Sequence, residues 1–304
     1  MKIVSIFKAL SDETRLRLVH LSMHYELNVN EIVSILGMGQ SRISRHLKIL
    51  TECNLLTYRK DGLWTFYSAA TEGEGYTFIQ SIRYLFDKDR IFQDDIHHAK
   101  RLLEEQEIEK VRFFDAIAED WEKLKREIIG DVNLNGMILE NIRRPGVIAD
   151  LGCGTGDLLD ALKQKATRVI GVEKSPKMLE SARRRFSADK GNVELRIGEL
   201  EHLPIREEEA DMAIINMVLH HLPEPIRAIK EASRILKKGD TFIIVDLVTH
   251  QQESMRERFG DRWLGFAVTD IQKWLESGDF KPETTHYFDL KKGLKGFLIQ
   301  SCKI

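Results

Sequence analysis

Apolar positions along this chain change their period near its midpoint, and that change predicts two differently built halves. In the first third they recur at helical spacing. Ser11-Asp12-Glu13-Thr14 opens a helix with Ser11 as its N-cap and Leu16, Val19 and Leu21 on its apolar face. Asn30 is expected to cap a short helix from Glu31 to Leu36, with Gly37 where a left-handed C-cap is wanted. A second short helix is predicted from about Gln40 to Cys53, with Ile43, Leu47 and Leu50 facing inward. Two strand-like runs, Leu55–Arg59 and Leu63–Ala69, flank Asp61-Gly62 and predict a hairpin.

From about Gly75 to Ile129 the pattern is helical and dense in charge. Leu102, Ile108, Val111, Phe114, Ile117, Trp121, Leu124 and Ile128 form a stripe spaced mostly by three and four. Such a stripe either packs on its own domain or forms a coiled-coil dimer seam, and its irregular spacing leaves both open. After Pro145-Gly146 short apolar strands alternate with helices. The strands are Val147–Leu151, Val169–Val172, Val193–Ile197, Asp211–Met217 and Thr241–Val248, with helices at Pro176–Phe186 and 224–236. That alternation implies a parallel sheet covered on both faces. His286–Asp289 and Gly296–Cys302 add a closing antiparallel hairpin.

The length of 304 residues suits two domains, and 42% hydrophobic with 31% charged residues is an ordinary globular balance. No apolar run reaches the roughly 18 residues a membrane span needs, and Met1–Ser5 leads into a polar amphipathic stretch, not a signal-peptide core. Cys53, Cys153 and Cys302 lie too far apart for a disulfide framework, so a cytoplasmic location is expected. Residues 1–72 carry nine Lys/Arg against seven Asp/Glu, a weakly basic segment in a chain of net charge −2. A small excess of this kind suits a polyanion without proving one.

Candidate chemistry begins at Asp150-Leu151-Gly152-Cys153-Gly154-Thr155-Gly156, which follows a strand and opens a helix. Its glycines admit left-handed backbone and close approach of a ligand. The spacing differs from the dinucleotide fingerprint, and Asp150 would repel a pyrophosphate. Glu173 ends the next strand, seventeen positions after Gly156, where a carboxylate can accept both hydroxyls of a ribose. The segment Gly198-Glu199-Leu200-Glu201-His202-Leu203-Pro204 follows the third strand, where an acid and an amide can meet an adenine edge.

These motifs, together with Asn216-Met217-Val218-Leu219-His220-His221-Leu222, resemble the class I S-adenosylmethionine (SAM) dependent methyltransferases over roughly residues 110–304. The resemblance implies a Rossmann-like seven-stranded sheet that binds SAM or its product S-adenosylhomocysteine (SAH). It implies Gly152, Gly154 and Gly156 at the methionine moiety, Glu173 at the ribose, and Glu199 with Leu200 at the adenine. Asp150, Met178 and Asn216 complete the implied cofactor set. Phe113–Trp121 resembles the family's entry segment, which makes Trp121 a lid candidate. On the acceptor side stand Asn216, His220 and His221. His221 could act as a base or simply cap the strand-to-helix turn. The signature of DNA amino-methylation is absent at 216–219, and so is the cysteine set of arsenic-methylating relatives. Any methyl acceptor is expected to be a small molecule, and the sequence identifies neither that molecule nor whether transfer occurs.

Phe7–Leu18, Ser41–Leu50 and the Tyr58–Tyr67 wing resemble the ArsR family of winged helix–turn–helix repressors over about residues 1–98. The outward face of the second helix is expected to offer Gln40, Ser41, Arg42, Ser44, Arg45 and His46 to DNA, with Arg59 and Lys60 at the wing tip. Relatives that sense metals use a Glu-Leu-Cys-Val-Cys motif, whereas this chain reads Glu26-Leu27-Asn28-Val29-Asn30. Asp94, Asp95, His97 and His98 supply only half of the family's second site, so no metal is expected. The resemblance implies a homodimer on a double-stranded operator with inverted-repeat symmetry.

The expected architecture is therefore α/β with an all-α-plus-wing domain in front. Its parts are a winged helix–turn–helix over 1–98, a helical linker and lid over 99–130, and a methyltransferase domain over 131–304. The expected function is an ArsR-type regulator that binds SAM or SAH. The competing expectation is an active small-molecule methyltransferase that also regulates itself.

Overall fold

The protein is described by a computed structural model covering residues 2–86, 89–142, 146–187 and 191–304. Met1, positions 87 and 88 of the expected helical stretch, and Pro145 lie outside the described residues. The chain divides into two compact units, 1–109 and 110–304, and each is described by itself.

The first unit comprises α1 (Lys2–Leu10), α2 (Glu13–His24), β1 (Leu27–Asn28), α3 (Val29–Leu36), α4 (Gln40–Glu52), β2 (Leu56–Asp61), β3 (Trp64–Ala69) and α5 (Gly73–Phe86), then the start of α6 (Arg90–Ile117). Leu18, Val19 and Leu21 of α2, Ile32 of α3 and Ile43, Leu47 and Leu50 of α4 are all buried in one core. Burial of this size stabilises by about 1.5–3 kcal/mol per large side chain. The three strands run antiparallel in the order β1-β3-β2.

Several local expectations need correction. Asp12, not Ser11, caps α2: its carboxylate accepts the Arg15 N–H, while the Ser11 hydroxyl turns back to the Lys8 carbonyl. Asn28, not Asn30, caps α3. Its side-chain oxygen accepts from the amides of Asn30 and Glu31, and Glu31 returns a bond to the Asn28 amide. Gly37 ends α3 in the left-handed region at φ 64°, as expected. The hairpin turns on Gly62-Leu63, because Asp61 is drawn into register opposite Trp64 and buried beside Arg59.

The second unit continues with α7 (Trp121–Ile129), α8 (Leu134–Leu139), β4 (Val147–Leu151), α9 (Asp157–Leu162), β5 (Arg168–Glu173), α10 (Pro176–Arg185), β6 (Val193–Ile197), β7 (Ala210–Asn216), α11 (Pro225–Ile235), β8 (Leu236–Leu247), α12 (Ser254–Phe259), α13 (Val268–Ser277), β9 (Phe280–Asp289) and β10 (Lys295–Lys303). Seven strands form one sheet in the order β6-β5-β4-β7-β8-β10-β9. β10 runs antiparallel to both neighbours, while the other pairs from β6 through β8 are parallel. Sequence periodicity left α12 and α13 unread.

The two faces of this sheet alternate residue by residue, as a pleated strand requires. Ala149, Leu151, Ile170, Val172, Ala213, Ile215, Phe242 and Ile244 pack toward α11 and α13. Ile148, Val169, Met212, Ile214, Ile243 and Val245 pack toward α7 to α10 and α12. Covered on both sides, the sheet leaves the carboxyl ends of its parallel strands as the place where polar groups gather. No described helix is long and apolar enough to cross a membrane.

Candidate functional site

At the carboxyl end of β4 the chain enters a loop whose three glycines all have positive φ, at 84°, 53° and 84° for Gly152, Gly154 and Gly156. The amides of Gly152 and Cys153 both reach the Val172 carbonyl, at 2.8 and 3.0 Å, which ties the loop to β5. A side chain at Gly152 would meet Val218 at 2.7 Å, so glycine is needed there for packing as well as for φ.

Two carboxylates, one buried and one half-buried, flank the loop. Asp150 is 2% exposed, and its Oδ2 accepts no hydrogen bond from any described residue. Burial pushes its carboxyl up to about 7; Lys125 opposes that rise, while Glu173 and Asp157 add to it. Glu173 accepts the Gly154 amide at 3.0 Å and the Ser175 amide at 2.8 Å. Burial raises its pKa, and those backbone amides hold the rise back.

Above Gly154 sit Trp121 and Met178. A Cβ at Gly154 would lie 3.6 Å from the Trp121 indole nitrogen and 3.7 Å from the Met178 sulfur. Helix α7 is fastened to the loop by Thr155 Oγ1 donating to Glu122 at 2.5 Å and by Lys125 donating to Asp157 at 3.3 Å, and Asn135 of α8 donates to the same carboxylate at 3.1 Å. Asp115 near the end of α6 accepts from the Ser175 hydroxyl at 2.6 Å. Asp115, Glu122 and Lys125 were not foreseen as site residues. Acidic and basic residues on a charge-dense helix look like ordinary solvated surface until their partners are known.

Of the expected cofactor residues, Asp150, Gly152, Gly154, Gly156, Glu173, Met178 and Trp121 thus gather around one loop. Leu200 is buried beneath the segment after β6, whereas Glu199 is exposed and paired with Lys174 at 3.1 Å. Asn216 ends β7 with its Oδ1 buried and accepting no hydrogen bond from a described residue. Met217 follows at φ 59°, a rare conformation for a non-glycine residue, and turns the chain into the short 3-10 helix Leu219–His221.

That turn delivers His220 and His221 to a second polar cluster. His220 Nδ1 lies 2.6 Å from Asp246 Oδ1, and its Nε2 lies 3.6 Å from Asp261 Oδ1. His221 Nδ1 lies 3.8 Å from the same Asp261 oxygen and 3.2 Å from the Gly260 carbonyl. Burial would lower His220, but Asp246 and Asp261 together raise it to about 8. Burial and the neighbouring His220 push His221 well down. Burial lifts Asp261 to about 6, against the pull of His220. Lys110 donates to the His221 carbonyl. The His221 ring meets Phe114 edge-on at 5.0 Å, and Phe114 meets Trp121 at 5.7 Å, so an aromatic rim joins this cluster to the glycine loop. The only sequence signal for Asp246 is a lone charge within an apolar strand; Asp261 carries none.

In the first unit the expected reading face is largely presented. Gln40, Ser41, Arg42, Ser44 and Arg45 of α4 are exposed, as is Lys60 on β2. His46 is a correction: it is 8% exposed and turned inward toward Arg15 and Asp12, because its position shares the apolar face with Ile43, Leu47 and Leu50. Arg59 is a second correction. It is half-buried, paired with Glu26 and Asp61 and stacked over Phe66 at 4.6 Å, so it braces the wing instead of reaching beyond it. Asp95 is also committed, since Arg17 donates to both its oxygens at 2.7 and 2.6 Å.

A methyltransferase-domain family model matches residues 149–244, and a bacterial regulatory-protein model of the arsR family matches residues 12–58. A demethylmenaquinone methyltransferase from Symbiobacterium thermophilum is 32% identical over 54% of this chain and 68% of that protein. The chain belongs to the SAM-dependent methyltransferases, with an arsR-family domain in front. An arsenite methyltransferase from Halobacterium salinarum is 37% identical over 34% of the chain, which spans only 28% of that protein's length. The solved structure of the cyclase SpnF superposes with a TM-score of 0.55 at 14% identity, covering 63% of this chain and 94% of that one. At that identity it speaks for the fold alone. The methyltransferase family's cofactor pair, SAM and SAH, is the one expected from the glycine loop.

Proposed function

We propose that the protein is an arsR-type transcriptional regulator whose methyltransferase unit binds SAM or SAH and thereby adjusts its affinity for DNA. The observation that carries the cofactor half is the cradle at the ends of β4 and β5. Two carboxylates, the buried Asp150 and the half-buried Glu173, flank a three-glycine loop roofed by Trp121 and Met178. Asp150, without a hydrogen bond at Oδ2, suits a cationic ammonium, and Glu173 at the loop rim suits ribose hydroxyls. A cation-seeking carboxylate and a glycine spacing unlike the dinucleotide fingerprint favour an adenosyl sulfonium over a dinucleotide.

The regulatory half rests on the exposed polar face of α4, where Arg42 and Arg45 can read base edges with Gln40, Ser41 and Ser44, and Lys60 can meet a phosphate. Ile3, Val4 and Phe7 of α1 and Tyr76, Tyr84 and Leu85 of α5 are exposed, and Phe7 meets Phe78 of α5. A second copy covering these residues supports a homodimer on an inverted repeat.

A ligand shifts DNA affinity only by binding two states unequally. Fluorescence polarisation on a fragment of the protein's own promoter is expected to show a midpoint shift of at least about fivefold with saturating SAM or SAH. Unchanged midpoints with both, despite calorimetric binding, would sink the proposal. Arg45→Ala is expected to weaken DNA binding by about tenfold while leaving cofactor affinity intact. The second reading, a working small-molecule methyltransferase, is favoured by the aromatic rim of Phe114, Trp121 and His221, which suits a flat acceptor beside the cofactor loop. Formation of SAH across an acceptor panel tests it.

A further inference from the structure

We propose that His220, His221 and Asp261 form a binding site for one divalent first-row transition-metal ion. The donor atoms of the three residues lie within 4.8 Å of one another, and all three side chains are buried. The argument starts from Asp261. It is 4% exposed, and neither carboxylate oxygen accepts a hydrogen bond from a described residue. At 3.6 and 3.8 Å the two imidazoles stand too far off to donate to it directly. A buried carboxylate without hydrogen bonds is costly unless a cation completes its surroundings. Around a tetrahedral zinc with bonds near 2.0 Å, donor atoms sit about 3.3 Å apart. The two spacings to Asp261 need to close by only a few tenths of an ångström, and no donor pair in the set by more than about 1.5 Å.

Asp246 supplies what a metal-binding imidazole usually has. It accepts a hydrogen bond from His220 Nδ1 at 2.6 Å and so leaves Nε2 facing Asp261 as the nitrogen for a metal. The Gly260 carbonyl accepts from His221 Nδ1 at 3.2 Å, so a metal ion on that nitrogen must displace this proton, or bind the ring through Nε2 instead. Two imidazoles and one carboxylate, with no thiolate, suit zinc, cobalt, nickel or ferrous iron; they do not suit a soft or an oxygen-seeking ion. Lys110 and Arg256 are the nearby cations whose charge the ion must tolerate; Lys110 is bonded to the His221 carbonyl and Arg256 to Glu253 and the Arg262 carbonyl. The competing occupant is a proton shared among the same groups. The sequence singled out His220 and His221 but not Asp261, because the ligands come from the 3-10 helix after β7 and from the loop after α12, and the site does not depend on the SAM reading.

Cobalt(II) titration of the full-length, metal-stripped protein tests the site. One equivalent is expected to bind, with visible d–d absorption and two shifted imidazole N–H proton resonances, and zinc is expected to displace it. Asp261→Asn and His220→Ala should each weaken cobalt binding at least about tenfold while SAM binding, measured separately by calorimetry, persists. If wild-type protein takes up no cobalt, or shows no shifted imidazole signal, the proposal fails and a proton occupies the cluster. It also fails if a folded Asp261→Asn variant binds cobalt as wild type does. If both variants unfold, the stoichiometry and imidazole signals of the wild type decide.

Discussion

The glycine loop and the His220–Asp261 cluster stand at neighbouring strand ends of one sheet, yet they are built in opposite ways. The loop draws Asp150 and its three glycines from seven consecutive residues, and its backbone conformation does most of the work. The cluster draws two side chains from a 3-10 turn and one each from β8 and the loop after α12, and its side chains do most of the work. A contiguous site tolerates drift elsewhere in the fold. A discontinuous one holds separate segments together, and breaking it is felt as lost stability.

The largest effect expected from that contrast is at Asp246. Asp246→Asn leaves His220 beside a neutral amide in a fully buried setting, a loss of about 3 kcal/mol. Chemical denaturation is expected to show that loss while SAM affinity stays within a few-fold. An equal loss of SAM binding would mean that the two regions are one site. Gly154→Val acts the other way round. A branched side chain at φ 53°, facing Trp121 and Met178, is expected to reduce SAM affinity by about a hundredfold or more, by calorimetry. Its stability cost stays at about 1–3 kcal/mol.

The smallest effect is a pH dependence that belongs to the loop. Asp150 holds its proton in the folded protein up to about pH 7, whereas the unfolded chain releases it near 3.8. The stability this lends the cofactor-free protein is complete below the unfolded value and is lost as pH rises through about 7. A cationic ligand prefers the ionised carboxylate, so SAM affinity is expected to rise about tenfold from pH 6 to pH 8. Asp150→Asn should flatten both profiles. A wild-type affinity that does not change with pH would remove Asp150 from ligand contact.

What could be read in the sequence follows the same division. Strand alternation and the glycine loop were legible because period and spacing are local properties. His46 was misplaced because position along α4 alone does not separate its polar ring from the buried face of Ile43, Leu47 and Leu50. Arg59 was misread because Glu26, thirty-three positions earlier, claims it across the sheet. Asn28 shows the reverse case. Read as a lost metal ligand, it turns out to hold the start of α3 as a reciprocal cap. Asp246 and Asp261 became visible only through their partners, which no local pattern names.

The fastening of α7 to the glycine loop carries a consequence in time. Thr155–Glu122 and the Lys125 bond to Asp157 hold Trp121 over Gly154. For a ligand seated beneath that indole, release is expected to wait on the parting of these bonds, so that its dwell time follows the latch more than its own contacts. Added salt, which screens Lys125 from Asp157, would then speed both entry and exit while moving the equilibrium little.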